Sequence, residues 1–276
     1  GVLINMSGLL PKGFALAPYL DEARKQLHDE TNYTLEAAQL VRFRHLLKET
    51  DSFIIPAVHP DWSSPKILAM DFMAGDPIET LEGASQWVKD QVMTDLIRLA
   101  LRELFEFGVM QTDPNFANYL YQPQTDKIVL LDFGAARTIA PHIVDQYLHL
   151  LCAGLEDDVG GLTTAAQNMG LFDADTRDEH RMRIVQMLRQ VFHMIREGGA
   201  IDFADQTLAN QLQAEGLALF QDGFSPSVLP IDVLLIQRKF AGLFLLGARL
   251  GACVNVGEIF RRHGGHLSAG QTASFQ

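Results

Sequence analysis

The chain has 276 residues, of which 47% are apolar and 20% charged. That is ordinary for a packed globular protein with a sizeable core, built as one large domain or two small ones. The formal charge of −12 excludes a generic nucleic-acid binder, because neutralising a phosphate backbone takes a surplus of Lys and Arg. A nucleotide site is still permitted, since a few local cations and Mg²⁺ do the neutralising there.

In chain order, the opening GVLINMSGLLP lacks a basic segment followed by an apolar core, so no signal or transit peptide is expected. The start reads as internal to a longer protein. Residues 18–48 predict a long helix: they are rich in Leu, Ala, Glu, Gln, Lys and Arg, and neither Pro nor Gly interrupts them after Pro18. Phe53–Val58 and Lys66–Phe72 read as strands separated by the turn chemistry of His59-Pro60-Asp61 and Ser63-Ser64-Pro65. Met73-Ala74-Gly75-Asp76-Pro77 is a breaker cluster and a candidate hinge. Ala84–Phe107 predicts a second long helix, apolar on more than one side and therefore buried inside the domain.

Beyond Arg137 the chain turns helical. Ile184, Met187, Leu188, Val191 and Ile195 follow the spacing of an amphipathic helix, while Gly198-Gly199 and Asp222–Pro230 divide the tail into three or four helical blocks. The longest uncharged run in the apolar tail, Phe240–Ala248, has nine residues, far short of the ~20 that a membrane-spanning helix needs. Cys152 and Cys253 make neither a metal-binding spacing nor a disulfide framework, so both are expected as buried thiols in a reducing compartment.

The chemistry concentrates in Val109–Arg137, VMQTDPNFANYLYQPQTDKIVLLDFGAAR. Asp113 is followed five positions on by Asn118, and Asp132-Phe133-Gly134 closes the apolar run Ile128–Leu131. Taken alone, Asp113 in an Asp-Pro pair is as readily a loop cap, and Asp132 a strand-ending turn. In this order they resemble the catalytic and metal-binding loops of a protein-kinase-like phosphotransferase. There an Asp orients or accepts the proton of the attacking hydroxyl, and an Asn oxygen and a strand-end carboxylate hold Mg²⁺ against the phosphates.

QTDPNFANYLY with VLLDFGAAR is similar to the UbiB/ADCK family of atypical kinases, whose catalytic loop carries QTDP. So are Asn5–Gly13 (NMSGLLPKG), the helix bearing Glu30-Thr31-Asn32-Tyr33 and Glu36-Ala37-Ala38, FRHLLK at Phe43–Lys48, Leu101–Pro114, and the tail around Arg238-Lys239-Phe240. The resemblance implies an α+β, protein-kinase-like fold. Residues 1–75 would be a partial N-lobe with helix C and its strands, and 76–276 a mostly helical C-lobe. It implies Asp113 as the catalytic-loop Asp, Asn118 and Asp132 as metal ligands that also hold the nucleotide, and Glu36 as the helix-C glutamate that pairs with a nucleotide-binding lysine. Met73 would contact the cofactor at the hinge. Glu30, Asn32, Phe133 and Gly134 complete the family motifs, with Asn32 standing where the family usually has Asp.

Glu30 and Glu36 could equally be a solvated helix face. Six residues apart, they lie roughly 120° from one another on an ideal helix, which lets one face the cleft and the other an N-terminal extension. The family's Lys-x-Gly-Gln motif, Ala-rich nucleotide loop and strand lysine belong upstream of Gly1, and Lys12 and Lys25 lie on the wrong side of helix C to replace that lysine. The resemblance therefore implies an atypical kinase or ATPase using Mg²⁺ and ATP or ADP in support of ubiquinone (coenzyme Q) biosynthesis, seen as a fragment without activity of its own. The alternative is a catalytically inactive nucleotide- or lipid-binding scaffold; a helical interaction domain in which these motifs are only turns is the blandest. Implied partners are the nucleotide, coenzyme Q biosynthesis proteins and a lipid membrane surface, met peripherally, with no nucleic acid. The implied location is the matrix side of the mitochondrial inner membrane or the bacterial cytoplasm, not the secreted space.

Overall fold

A computed structural model describes residues 32–197, 199–226 and 228–262. Helix α1 (Tyr33–Leu46) starts where Asn32 accepts a hydrogen bond from the Thr34 amide at 3.2 Å, a side-chain cap on its first turn. Its buried residues are Leu40 and Phe43. The first part of the long helix expected over 18–48 lies outside the described residues.

Strand content between 53 and 72 is lower than expected. Only β1 (Phe53–Ile54) forms a ladder, and the rest contributes the isolated bridges Val58–Met70 and Ser64–Ile67. Pro56 supplies no N–H, so a regular strand cannot run through it. The segment folds back on itself through irregular bonds instead, His59 N to Ala69 O at 2.8 Å and Asp71 N to Ala57 O at 2.9 Å. After β2 (Asp76–Pro77) comes α2 (Gln86–Arg102), capped by Ser85, whose hydroxyl accepts from the Val88 amide at 3.4 Å. Burial of Val92, Met93, Leu96, Ile97, Leu99 and Leu101 bears out a helix apolar on several sides. Its expected last turn, Glu103–Phe107, is a π turn, ended by Gly108 at φ +59°, a left-handed conformation that favours glycine.

Strands β3 (Val109–Gln111), β4 (Tyr119–Gln122), β5 (Lys127–Leu130) and β6 (Ala136–Thr138) follow. A four-stranded sheet has the order β1-β5-β4-β2, with β1 parallel to β5 and the other pairs antiparallel. β3 and β6 form a separate antiparallel pair. The helical remainder comprises α3 (Pro141–Glu156), α4 (Val159–Asn168), α5 (Asp178–Arg196), α6 (Thr207–Gln221) and α7 (Ile231–Leu250), with the short pair β7 (Ile201–Asp202) and β8 (Cys253–Val254). The fold is the expected α+β arrangement of a small sheet region and a largely helical C-terminal region. Among the described residues no helix is long and apolar enough to cross a membrane.

Two packing contacts fix the surroundings of the loops that carry the chemistry. Phe133 of the Asp-Phe-Gly stretch stacks on Phe43 of α1, ring centroids 4.3 Å apart, with both side chains almost fully buried. Helix α7 buries Val233, Ile236, Lys239, Gly242, Leu243 and Leu246 along one face. A Cβ at Gly242 would overlap the Pro114 ring, so the helix backbone approaches the loop carrying Asp113 as closely as glycine allows. The cysteines depart from expectation: Cys152 is exposed on α3 and Cys253 is half-buried. Position 152 falls on the outer side of its helix, and thiols are not polar enough for their type to exclude that. Phe43→Ala is expected to cost ~3–5 kcal/mol in urea unfolding, as for other buried aromatics; a loss under ~1 kcal/mol would contradict the Phe43–Phe133 packing.

Candidate active site

The two loops of the site are tied to one another by backbone. β3 pairs with β6 in the register Val109–Thr138, Met110–Arg137 and Gln111–Ala136, so the strand entering the first loop lies against the strand leaving the second. Thr112 extends this tie: its amide and its hydroxyl both donate to Ala135 O, at 3.3 and 2.9 Å. The Gln111 side-chain amide donates to Asp132 O at 3.4 Å, and the Leu131 amide donates to Asn118 O at 3.0 Å.

Between these ties, Asn115 accepts from the Ala117 amide at 3.1 Å and opens the short 3₁₀ turn Phe116–Asn118. That turn brings the buried Asn118 side chain back onto Asp113, and Asn118 Nδ2 donates to Asp113 Oδ2 at 3.1 Å. Asp113 Oδ1 accepts from Arg238 Nη2 of α7, also at 3.1 Å. In the second loop, Asp132 Oδ1 accepts from the Gly134 amide at 2.7 Å. A Cβ on Gly134 would sit 3.3 Å from Asp132 Oδ1 and 3.8 Å from the Glu36 carboxyl, so α1 holds Glu36 directly over the Asp-Phe-Gly turn. Burial and then the Asp132 charge push the Glu36 carboxyl up to about 7.

The structure thus pairs Asn118 with Asp113 in one loop and sets Glu36 over Asp132 and Gly134 in the other, with Phe133 anchoring the second turn and the bonds between the loops joining the two pairs. Met73 is half-buried in the connection before β2; its neighbour Ala74 accepts at its carbonyl from Gln122 Nε2 at 2.7 Å, which ties this connection to β4. Asn32 serves as the α1 cap. Glu30 lies outside the described residues. The stretch around Arg238-Lys239-Phe240 carries the family resemblance, but nothing in the sequence shows that Arg238, some 120 positions beyond Asp113, would reach it.

The oxygen donors suit a hard divalent cation. Asn118 uses its NH₂ on Asp113 and keeps its carbonyl oxygen, and Asp132 keeps Oδ2 after Oδ1 takes the Gly134 amide. Among the described residues no three His, Cys, Asp or Glu side chains converge on one point. Two protein ligands completed by phosphate oxygens and water is the usual arrangement for Mg²⁺ in phosphotransferases.

These loops lie on a protein-kinase-like α+β fold. The ABC1 atypical kinase-like domain matches residues 1–166, and the chain belongs to this family, the UbiB/ADCK atypical kinases. It is 36% identical over 264 residues to "Atypical kinase COQ8, mitochondrial" of Saccharomyces cerevisiae, covering 94% of this chain and 52% of that protein. With "Atypical kinase COQ8B, mitochondrial" of Rattus norvegicus it shares 32% over 262 residues, 94% of this chain and 49% of the relative. The chain spans about half the length of these curated relatives. A solved structure of the Rv3197–erythromycin complex from Mycobacterium tuberculosis superposes with a TM-score of 0.71 at 21% identity, over 91% of this chain and 62% of that one, a likeness of fold.

Glu36 gives a pH-dependent test. Its carboxyl is raised in the folded chain, so its contribution favours folding below its ordinary value of 4.5 and is lost as pH climbs through about 7. Glu36→Gln is therefore expected to raise Tm at pH 8 in metal-free buffer and to leave it unchanged near pH 4. A lower Tm at pH 8 would show that the ionised carboxylate has a favourable partner.

Proposed function

We propose that this chain carries the catalytic and metal loops of an Mg²⁺-ATP (or ADP) site in an atypical kinase or ATPase of the UbiB type. The observation that carries it is the backbone weld of β3 to β6, which ties the loop of Asp113 and Asn118 to the loop of Asp132, over which Glu36 lies. In this reading Asn118 Oδ1 and Asp132 Oδ2 hold the cation, which when bound would neutralise charge on the nucleotide phosphates. Asp113 orients the attacking hydroxyl and takes up its proton, while Arg238 and Asn118 fix its two oxygens. Met73 lines the nucleotide at the hinge. Residues 1–75 then act as the N-lobe part and 76–276 as the C-lobe, with β1 bridging to β5 across the division.

Family membership supports a role in ubiquinone (coenzyme Q) biosynthesis, with other proteins of that process and a peripheral membrane surface as partners. The names of the COQ8 relatives favour a mitochondrial setting, on the matrix side of the inner membrane, and a bacterial cytoplasm is the other setting the family allows. A second reading is a nucleotide- or lipid-binding scaffold without turnover: burial and the Asp132 charge, which hold the Glu36 carboxyl up to about 7, suit a bound cation whether or not turnover follows.

Mg²⁺-dependent ATP binding, followed by calorimetry, is expected to weaken at least ~10-fold in Asp132→Ala, since a metal carboxylate is lost. Binding unchanged by that substitution would remove the metal assignment. Asp113→Asn is expected to retain binding and to lower phosphoryl transfer or hydrolysis by ~10²-fold or more. Wild-type binding without measurable turnover would favour the scaffold.

A further inference from the structure

A buried cation packs against the residue that directly follows Asn118. Lys239 of α7 is 3% exposed. Its Nζ donates to Tyr119 Oη at 3.0 Å and lies 3.8 Å from Glu103 Oε2 in the π turn. Glu103 is 1% exposed, and neither of its carboxylate oxygens has a hydrogen-bond partner of good geometry among the described residues. The ammonium therefore joins three elements: the π turn ending α2, the first residue of β4, and α7.

We propose that Lys239 is a positioning residue for the catalytic loop, fixing Asn118 and Asp113 through Tyr119 rather than serving only as a counter-ion for Glu103. Tyr119 follows Asn118 directly, and Asn118 in turn donates to Asp113. The loop is thus pinned at its far end by Lys239, at its near end by the Thr112–Ala135 bonds, and from beneath by the contact of Gly242 with Pro114.

The charge arrangement supports a fixed cation at this point. Burial alone would lower the Lys239 ammonium, but Glu103, Tyr119 and Asp113 together outweigh it and hold the group above the ordinary lysine range. Glu103 is pushed upward by burial, against the opposing pull of Lys239 and the Gln111 amide. A buried ion pair is a weak source of stability, since a hydrophobic pair of similar volume often replaces it at no loss. A stability role alone therefore gives little reason for this pair to stand against the catalytic loop.

The test separates the two roles. In the full chain, Lys239→Met leaves Glu103 buried and unpaired, and Tm is expected to fall by roughly 10 °C. The double variant Lys239→Met with Glu103→Leu removes both charges and is expected to recover Tm to within ~3 °C of wild type. Under the proposal the recovered fold still has a loosened loop. Amide exchange over Thr112–Tyr119 rises ~10-fold or more while exchange elsewhere stays native. Turnover falls ~10-fold, with Mg²⁺-ATP affinity changed less than ~2-fold.

Recovery of wild-type loop exchange and wild-type turnover together with Tm would overturn the proposal and leave Lys239 as the partner of Glu103 alone. Should the double variant fail to fold, Tyr119→Phe tests the same link, with faster loop exchange expected at near-native Tm and unchanged exchange overturning it. The turnover arm rests on the kinase reading. A wild-type chain that neither binds nor turns over Mg²⁺-ATP would sink that reading, and loop exchange would still decide the role of Lys239.

Discussion

The site depends on one backbone constraint, the antiparallel contact of β3 with β6 and its continuation through Thr112 and Ala135. Loops that carry function incur a large entropic penalty for being ordered, about 1–2 kcal/mol per residue in the backbone alone. Here the two functional loops share that penalty, because one ladder orders both. The strand that delivers Asp113 also fixes the exit from Asp132-Phe133-Gly134, so neither carboxylate can shift without disturbing the other.

Around this weld the structure places apolar anchors below and charges above. Phe133 turns inward onto Phe43, which commits the backbone of its turn and leaves Asp132 pointing away from the core. The same α1 that buries Phe43 also carries Glu36, so packing of the helix and position of the glutamate are one decision. Burial penalises the Glu36 carboxylate, and the nearby Asp132 charge adds to the penalty. A site that tolerates this is suited to a cation, supplied by a metal or by a lysine. On the opposite side α7 reaches Asp113 with Arg238 and lies against Pro114 at Gly242.

Much of this is legible in the sequence, for a physical reason. Asp113, Asn118 and Asp132 lie within 20 residues in which spacing and strand pattern are local, and local chemistry survives into the fold, where the hairpin of β4 and β5 turns between Gln122 and Lys127. The α+β character follows from helix-forming stretches without Pro or Gly. What is not legible is long-range. Pairing of Asp113 with Arg238, and of Glu103 and Tyr119 with Lys239, joins residues more than a hundred positions apart, and no periodicity encodes which helix face will meet which loop. Apolar and aromatic content over 53–58 and 66–72 suggests more strand than forms, because Pro56 breaks the ladder that this content favours. The last turn of α2 reads as ordinary helix because a π turn has no separate composition. Residue type alone puts Cys152 inside, and helix phase puts it outside.

The central claim is that one welded unit, Asp113, Asn118 and Asp132 under Glu36, receives the metal of a nucleotide complex. Replacing Mg²⁺ by Mn²⁺ in the presence of ATP and recording amide NMR spectra tests it directly, since the paramagnetic ion broadens only nearby signals. Loss of signal is expected at residues 117–119 and 131–134 and at Glu36, with α5 and α6 unaffected. Broadening centred on another acidic cluster, such as Asp157 and Asp158, or none at all with ATP present, would contradict it.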